Sequence, residues 1–158
     1  MDFRFNGSEI PGIIPTTETK DVKAGGAATI AIGDMVREDD GNPGYVKKGA
    51  DGDTDTLTKN RVYLAIGASD ETAGADGTVK VMWCPYMRLL GTVDDVADLV
   101  QAIVDTRVTL EVDTGVQKID ADDTTNGFMR IKRPEGGIAN WDTTNGYNVE
   151  VIVNEKVT

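Results

Sequence analysis

Between residues 107 and 154, apolar and polar positions alternate in short runs: Val108, Leu110 and Val112 in RVTLEVD, Met129 and Ile131 in FMRIKR, Val149, Val151 and Val153 in YNVEVIVN. A period of two belongs to a strand with one buried face, so these runs predict three half-buried strands with Arg130 and Lys132 on the outer face. Earlier runs carry the same signal, punctuated by glycine. In ATIAIGDMVRED a Gly33-Asp34 break separates two β-capable pieces, and GNPGYVKKG supplies a turn and another strand. RVYLAIGAS (61–69) is apolar enough to be buried on both faces. In GTVKVMWCPYMRLLG (77–91), Val79, Val81 and Trp83 share one face and Lys80, Met82 and Cys84 the other, until Pro85 interrupts the ladder. Proline has no N–H to donate, so Pro85 predicts an edge position or a bulge.

One segment departs from this period. In TVDDVADLVQAIVDT, residues Val93, Val96, Ala97, Val100, Ile103 and Val104 recur at helical spacing and predict an amphipathic helix over about 93–105. Thr92 is placed to cap it, with Asp95 completing a capping-box-like pair and Asp94, Asp95 and Asp98 near the positive end of its dipole. Residues 1–26 hold two prolines, four glycines and no sustained period, which predicts an extended N-terminal arm. Its apolar residues Phe3, Phe5, Ile10, Ile13 and Ile14 exceed what a solvated tail needs. The arm is therefore expected to dock, on its own domain or on a neighbour, and these five residues are the candidate partner-binding set. The whole reads as mainly β: a small β-barrel or β-sandwich of about eight to nine short strands with one helix. Residues 27–158 form its single β-rich domain, which is expected to stay folded when residues 1–20 are deleted.

Composition narrows the function. A chain of 158 residues is long enough for one real core. With 27 acidic and 16 basic side chains the net charge is −11, which repels a nucleic-acid backbone and argues against that partner. The absence of histidine removes the usual general base, the Ser-His-Asp and Cys-His arrangements and the commonest transition-metal ligand. Cys84 stands alone, so no intrachain disulfide is expected. Acidic Asp2 and the lack of a long apolar stretch predict neither a signal peptide nor a membrane span, hence no membrane partner and a protein made soluble inside a cell.

No catalytic motif stands out, and no cofactor or metal is expected. Asp51, Asp53 and Asp55 alternate as at the start of a calcium loop, but Thr56 and Val62 stand where that loop needs glycine and a bidentate glutamate. Asp120, Asp122 and Asp123 form a weaker cluster. Neither a P-loop nor a dinucleotide glycine motif is present. Trp83, Tyr86, Trp141 and Tyr147 offer a possible sugar-stacking surface, against which stands their commoner fate of packing in cores and at strand ends. The basic island Arg130-Ile131-Lys132-Arg133 is split between two strand faces and is a poor nucleic-acid patch, although it could meet an acidic neighbour. The string DTTNG occurs at 123–127 and again at 142–146, followed by Phe128 and Tyr147. Asn-Gly tolerates positive φ and a preceding Asp can cap a loop, so both copies predict turns that launch strands rather than ligand loops.

ATIAIGDMV (28–36), RVYLAIGAS (61–69) with the acidic loop after it, and GTVKVMW (77–83) together resemble the head decoration proteins, or capsid cement proteins, of tailed bacteriophages. The resemblance covers about residues 24–90. It implies a non-enzymatic structural protein that binds the outer surface of an assembled capsid, with the major capsid protein as partner. It also implies self-association as a homotrimer, a location on the virion exterior after synthesis in the host cytoplasm, and stabilisation of contacts between capsomers. The alternatives are another virion component such as a tail or head fibre, a carbohydrate-binding module using Trp83, Trp141 or Tyr147, and a small carboxylate hydrolase.

Overall fold

The computed structural model describes residues 3–26, 29–53 and 61–155. It is mainly β, with eleven strands among those residues: β1 (Arg4–Ser8), β2 (Thr16–Val22), β3 (Met35–Glu38), β4 (Tyr45–Lys48), β5 (Val62–Ala65), β6 (Gly77–Trp83), β7 (Met87–Gly91), β8 (Arg107–Asp113), β9 (Val116–Asp120), β10 (Met129–Ile131) and β11 (Val149–Val153). Strands β2-β4-β3-β5-β6 close into a barrel, and β1-β7-β11-β10-β8-β9 form a six-stranded sheet. Every pairing is antiparallel except β2 with β4.

Strands β3 and β5 are the wall shared by two cores. Val36, Tyr63 and Ala65 point into the barrel with Val22, Ile30, Val46, Val79 and Val81. Met35, Val62 and Leu64 point the other way, into a larger core with Leu89, Leu110, Ile119, Met129, Ile131 and Val151. This is why Val62 to Ala65 form an unbroken apolar run buried on both faces. Arg37 shares the outward face of Met35 and lies with its guanidinium 4.2 Å from the Phe128 ring centre, fully buried.

Two buried carboxamides bind this wall to the sheet. Gln117 on β9 accepts the Met35 N–H at 2.6 Å and donates to the Met35 and Gly49 carbonyls at 3.0 Å. Asn154, just past β11, accepts the Val62 N–H at 2.7 Å and donates to the Val62 carbonyl at 2.8 Å and the Cys84 carbonyl at 3.2 Å. Each amide thus mimics one residue of a neighbouring strand and satisfies backbone groups that no strand of the sheet reaches. Asn154 adopts φ +61°, a left-handed conformation that asparagine tolerates better than most residues.

The Gly33-Asp34 break is a turn of dense hydrogen bonding. The Asp34 carboxylate accepts the Ala31 N–H at 2.8 Å and lies 2.9 Å from Lys48 Nζ, both side chains nearly buried. Of the two β-capable pieces flanking it, the second is strand β3, while in the first the described residues 29–32 are irregular and place Ile30 in the barrel.

Four expectations need correction. Residues 93–105 are not an amphipathic helix but two short 3-10 turns, at Val96–Asp98 and Gln101–Ile103. The reason is tertiary: Val93 forms a parallel bridge to Ile119, whose N–H donates to the Thr92 carbonyl at 2.8 Å and whose carbonyl accepts the Asp94 N–H at 2.9 Å. The segment therefore starts extended beside β9, and the Thr92 carbonyl is taken before a first helical turn can use it. Four valines and four aspartates over Val93–Asp105 are weak helix formers that do not resist this. Asp95, not Thr92, caps the first turn through the Ala97 N–H at 2.8 Å.

The N-terminal arm is extended but not separate, since it supplies edge strand β1 of the sheet and barrel strand β2, the latter paired with β6 along its full length. Pro85 lies at neither an edge nor a bulge. It sits in the turn where the chain leaves barrel strand β6, paired on both sides, for sheet strand β7, with Tyr86 at φ +49°. The run 77–91 is therefore two strands in two different sheets. Finally, strand β9 went unread, because its inward positions are Gln117 and Ile119 rather than two apolar residues.

Both DTTNG copies are turns. Asp123 accepts the Thr125 N–H at 3.0 Å, and Asp142 accepts the Thr144 and Asn145 N–H groups at 3.0 Å. They differ in which residue takes positive φ: Asn126 in the first, Gly146 in the second. The backbone bonds to these exposed carboxylates hold both aspartates below the usual carboxylate range.

Two outcomes follow for stability. Deleting residues 1–20 removes β1, most of β2 and the core residue Phe3, so the truncated chain is expected to lose cooperative thermal unfolding by circular dichroism. Asn154→Ala is expected to cost about 2–4 kcal/mol in urea denaturation, and Asn154→Gly, which relieves the φ but not the lost bonds, nearly as much. A fully stable Asn154→Gly variant would contradict the role given to the amide.

Candidate functional site

The five apolar arm residues do not act as one set. Phe3 is buried against Gly91 inside the larger core, where it packs as a structural residue. Phe5, on edge strand β1, is 36% exposed. Ile10, Ile13 and Ile14 lie on the connection from β1 to β2, Ile10 just before Pro11 and the other two between Pro11 and Pro15; Ile10 and Ile13 are 38% and 37% exposed and Ile14 is 87% exposed.

That connection is pinned at its start. Ser8 Oγ donates to the Pro85 carbonyl at 2.7 Å and accepts the Ile10 N–H at 3.1 Å, while the Glu9 N–H donates to the Tyr86 carbonyl at 3.0 Å. The Glu9 carboxylate accepts from Lys132 Nζ at 2.7 Å, a bond that holds Glu9 below its ordinary pKa. At its far end the loop enters β2, where Thr16 pairs with Trp83. Fixed at both ends and carrying two prolines, the loop presents its isoleucines to solvent at a low conformational cost. Among the exposed apolar residues that sequence reading missed are Ile32 and Ile66, each followed by a glycine in a turn or strand end. An apolar residue beside a turn glycine was the available signal.

Of the aromatic residues read as a sugar platform, Trp83 and Trp141 pack within the chain. The Arg61 guanidinium lies 3.7 Å from the Trp83 ring centre and Trp83 Nε1 donates to Glu18 at 2.8 Å, while Trp141 is buried in the larger core. Tyr147 is 40% exposed. The basic island pairs within the chain: Arg130 donates to Glu155 at 2.7 Å and to Asp105 at 2.8 Å, and Lys132 bridges Glu9 and Glu150.

Acidic groups converge where the segment Thr92–Asp94 runs beside β9. The bridge from Val93 to Ile119 sets Asp94 beside Asp120, and one oxygen from each of Asp94, Asp120 and Asp122 lies within 4.8 Å of the others. Burial, a hydrogen bond to Asp122 and the charge of Asp94 push Asp120 up to about 6. Asp98 and Glu111 are raised by burial and then by neighbouring carboxylates. As a cation site the group is poor, because Asp94 Oδ1 accepts the Ala121 N–H and Asp120 Oδ1 the Asp123 N–H, leaving few of the six to eight oxygens that calcium takes. In the other acidic loop, Asp51 accepts the Val112 N–H and Asp53 the Ala50 N–H, whereas Asp55 lies outside the described residues. Among the described residues, no helix is long and apolar enough to cross a membrane.

Because the folded chain binds the Asp120 proton more tightly than the unfolded chain, this group adds stability that is fully present below about pH 4 and lost as pH rises through about 6. Asp120→Asn, which keeps the oxygen that accepts the Asp123 N–H, is expected to raise the melting temperature at pH 7 by about 2 °C and to flatten its dependence between pH 4 and 7. Thermal melts across that range check it. Set beside family models, curated proteins and solved structures, the chain matches none.

Proposed function

We propose that this chain is a non-enzymatic structural protein of a phage particle that binds the outer surface of the assembled capsid and stabilises contacts between capsomers. The observation that carries the proposal is the loop of Ile10, Ile13 and Ile14, held out from the barrel and sheet on fixed ends. Burying one isoleucine against a partner contributes about 1.5–3 kcal/mol, so the loop makes a contact that is weak in a single copy. Repeated over a lattice, or within a homotrimer, weak contacts become effective through multivalency. A ligand that prefers the expanded lattice shifts the equilibrium towards it and so reinforces it.

The net charge of −11 suits the outside of a particle and not a surface facing packaged genome. Synthesis in the host cytoplasm followed by addition to finished heads accords with a chain that folds around its own two cores.

The double variant Ile13→Asp, Ile14→Asp is expected to stay folded at a cost of about 1 kcal/mol, set by Ile13, which is 37% exposed against 87% for Ile14. Its binding to expanded heads of its phage, measured by co-sedimentation, is expected to fall at least about tenfold, the factor that 1.4 kcal/mol sets. Unchanged binding by a folded double variant would overturn the loop's role.

A further inference from the structure

The outer face of the six-stranded sheet carries a second feature, independent of the isoleucine loop. Between this face and the connection from β10 to β11 lies a cleft of about 470 Å³, bounded by Arg88 and Leu90 of β7, Glu150 of β11, and Arg133, Pro134 and Trp141 of the connection. Its volume falls in the range of small-ligand sites. It sets Arg88, Lys132 and Arg133 against Glu135 and Glu150, in a chain whose net charge is −11.

Most polar groups around the cleft have partners. Lys132 holds Glu9 and Glu150, the Asn6 amide donates to Glu150, and Asn148 accepts from Arg4. Arg88 is different. Its Nε is buried and, among the described residues, has no hydrogen-bond partner. A buried guanidinium N–H without an acceptor is unfavourable; Arg88 stands in one row with Ile152 and Arg130 on this face, and its guanidinium lies over Gly7 of β1.

We infer that the cleft is a binding site for a single carboxylate carried on an apolar body, held by the Arg88 guanidinium and with Arg133 as a second cation. The fork of a guanidinium matches the two oxygens of a carboxylate. Glu150 and Glu135 line the same cleft and penalise a doubly charged phosphate. Leu90, Pro134 and Trp141 supply the apolar wall that the body of the ligand would meet. Two sources share this chemistry, an aliphatic organic acid and a glutamate side chain presented by a peptide.

The test uses the full chain labelled with nitrogen-15, following the Arg88 Nε–H signal by NMR. Sodium butyrate, the peptide acetyl-Leu-Glu-Leu-amide and sodium phosphate are titrated separately at matched ionic strength. Butyrate or the peptide is expected to shift the signal saturably, with phosphate at least about tenfold weaker. Tighter binding of the peptide assigns the site to a protein partner, and equal or tighter binding of butyrate to a small acid. Arg88→Lys, which keeps the charge but not the fork, is expected to lower carboxylate affinity about tenfold. An Arg88 signal that moves with neither carboxylate, a site that takes phosphate as well as carboxylate, or an Arg88→Lys variant that binds like the unmodified chain would each overturn the inference.

Discussion

The arrangement of this protein depends on two side-chain amides bonded to peptide groups. Gln117 engages Met35 and Asn154 engages Val62, and both targets lie on the β3–β5 wall that divides the two cores. A barrel wall has its backbone hydrogen bonds directed from strand to strand within the wall, so a second sheet packed on it gains only non-directional apolar contact. The amides add direction. They fix how β9 and the end of β11 sit on the barrel, and their burial makes any other placement leave polar groups without partners.

From that fixed placement the surface features follow. The chain crosses from barrel to sheet at Pro85-Tyr86, where the Asn154 carbonyl accepts the Tyr86 N–H and the Tyr86 carbonyl accepts the Glu9 N–H. The isoleucine loop thus starts from the same crossing that Asn154 anchors. On the outer face of the sheet, the rows of Arg88, Arg130, Lys132 and Glu150 are brought together by the register of β7, β11 and β10. At the opposite end the bridge of Val93 to Ile119 crowds Asp94 against Asp120, a repulsion that the sheet accommodates in order to keep Val93 and Ile119 in the core.

Legibility followed the apolar signal. Strands β6, β8, β10 and β11 were plain because their inward positions are mostly Val, Leu, Ile or Met at a period of two, and β5 because it is an unbroken apolar run buried on both faces. Strand β2 was hidden because two of its lumen-facing residues are Glu18 and Lys20, which pair with each other at 3.1 Å, while Lys20 lies over the Tyr63 ring. A charged pair inside a barrel mouth resembles a solvated arm when read as a string. Strand β9 was hidden by Gln117 for the same reason. Of the candidate site, the isoleucines of the loop were visible as apolar excess, but only their exposure separates them from Phe3, which the core consumes. The cleft at Arg88 was not visible at all, since its lining comes from four separate stretches of chain.

By itself the sequence determined the β class, the faces of the apolar strands, the turns at Gly33-Asp34 and at both DTTNG strings, and the acidic surface. These are local properties, set by side-chain period, backbone φ and charge count. Tertiary structure alone decided that residues 77–91 divide between a barrel and a sheet, and that the helical period of 93–105 yields to a bridge with β9. It also decided that the N-terminal segment is two strands and a presented loop. Each of those outcomes turns on which distant backbone groups take up a hydrogen bond, and a partner far along the chain leaves no periodic mark on the segment it captures.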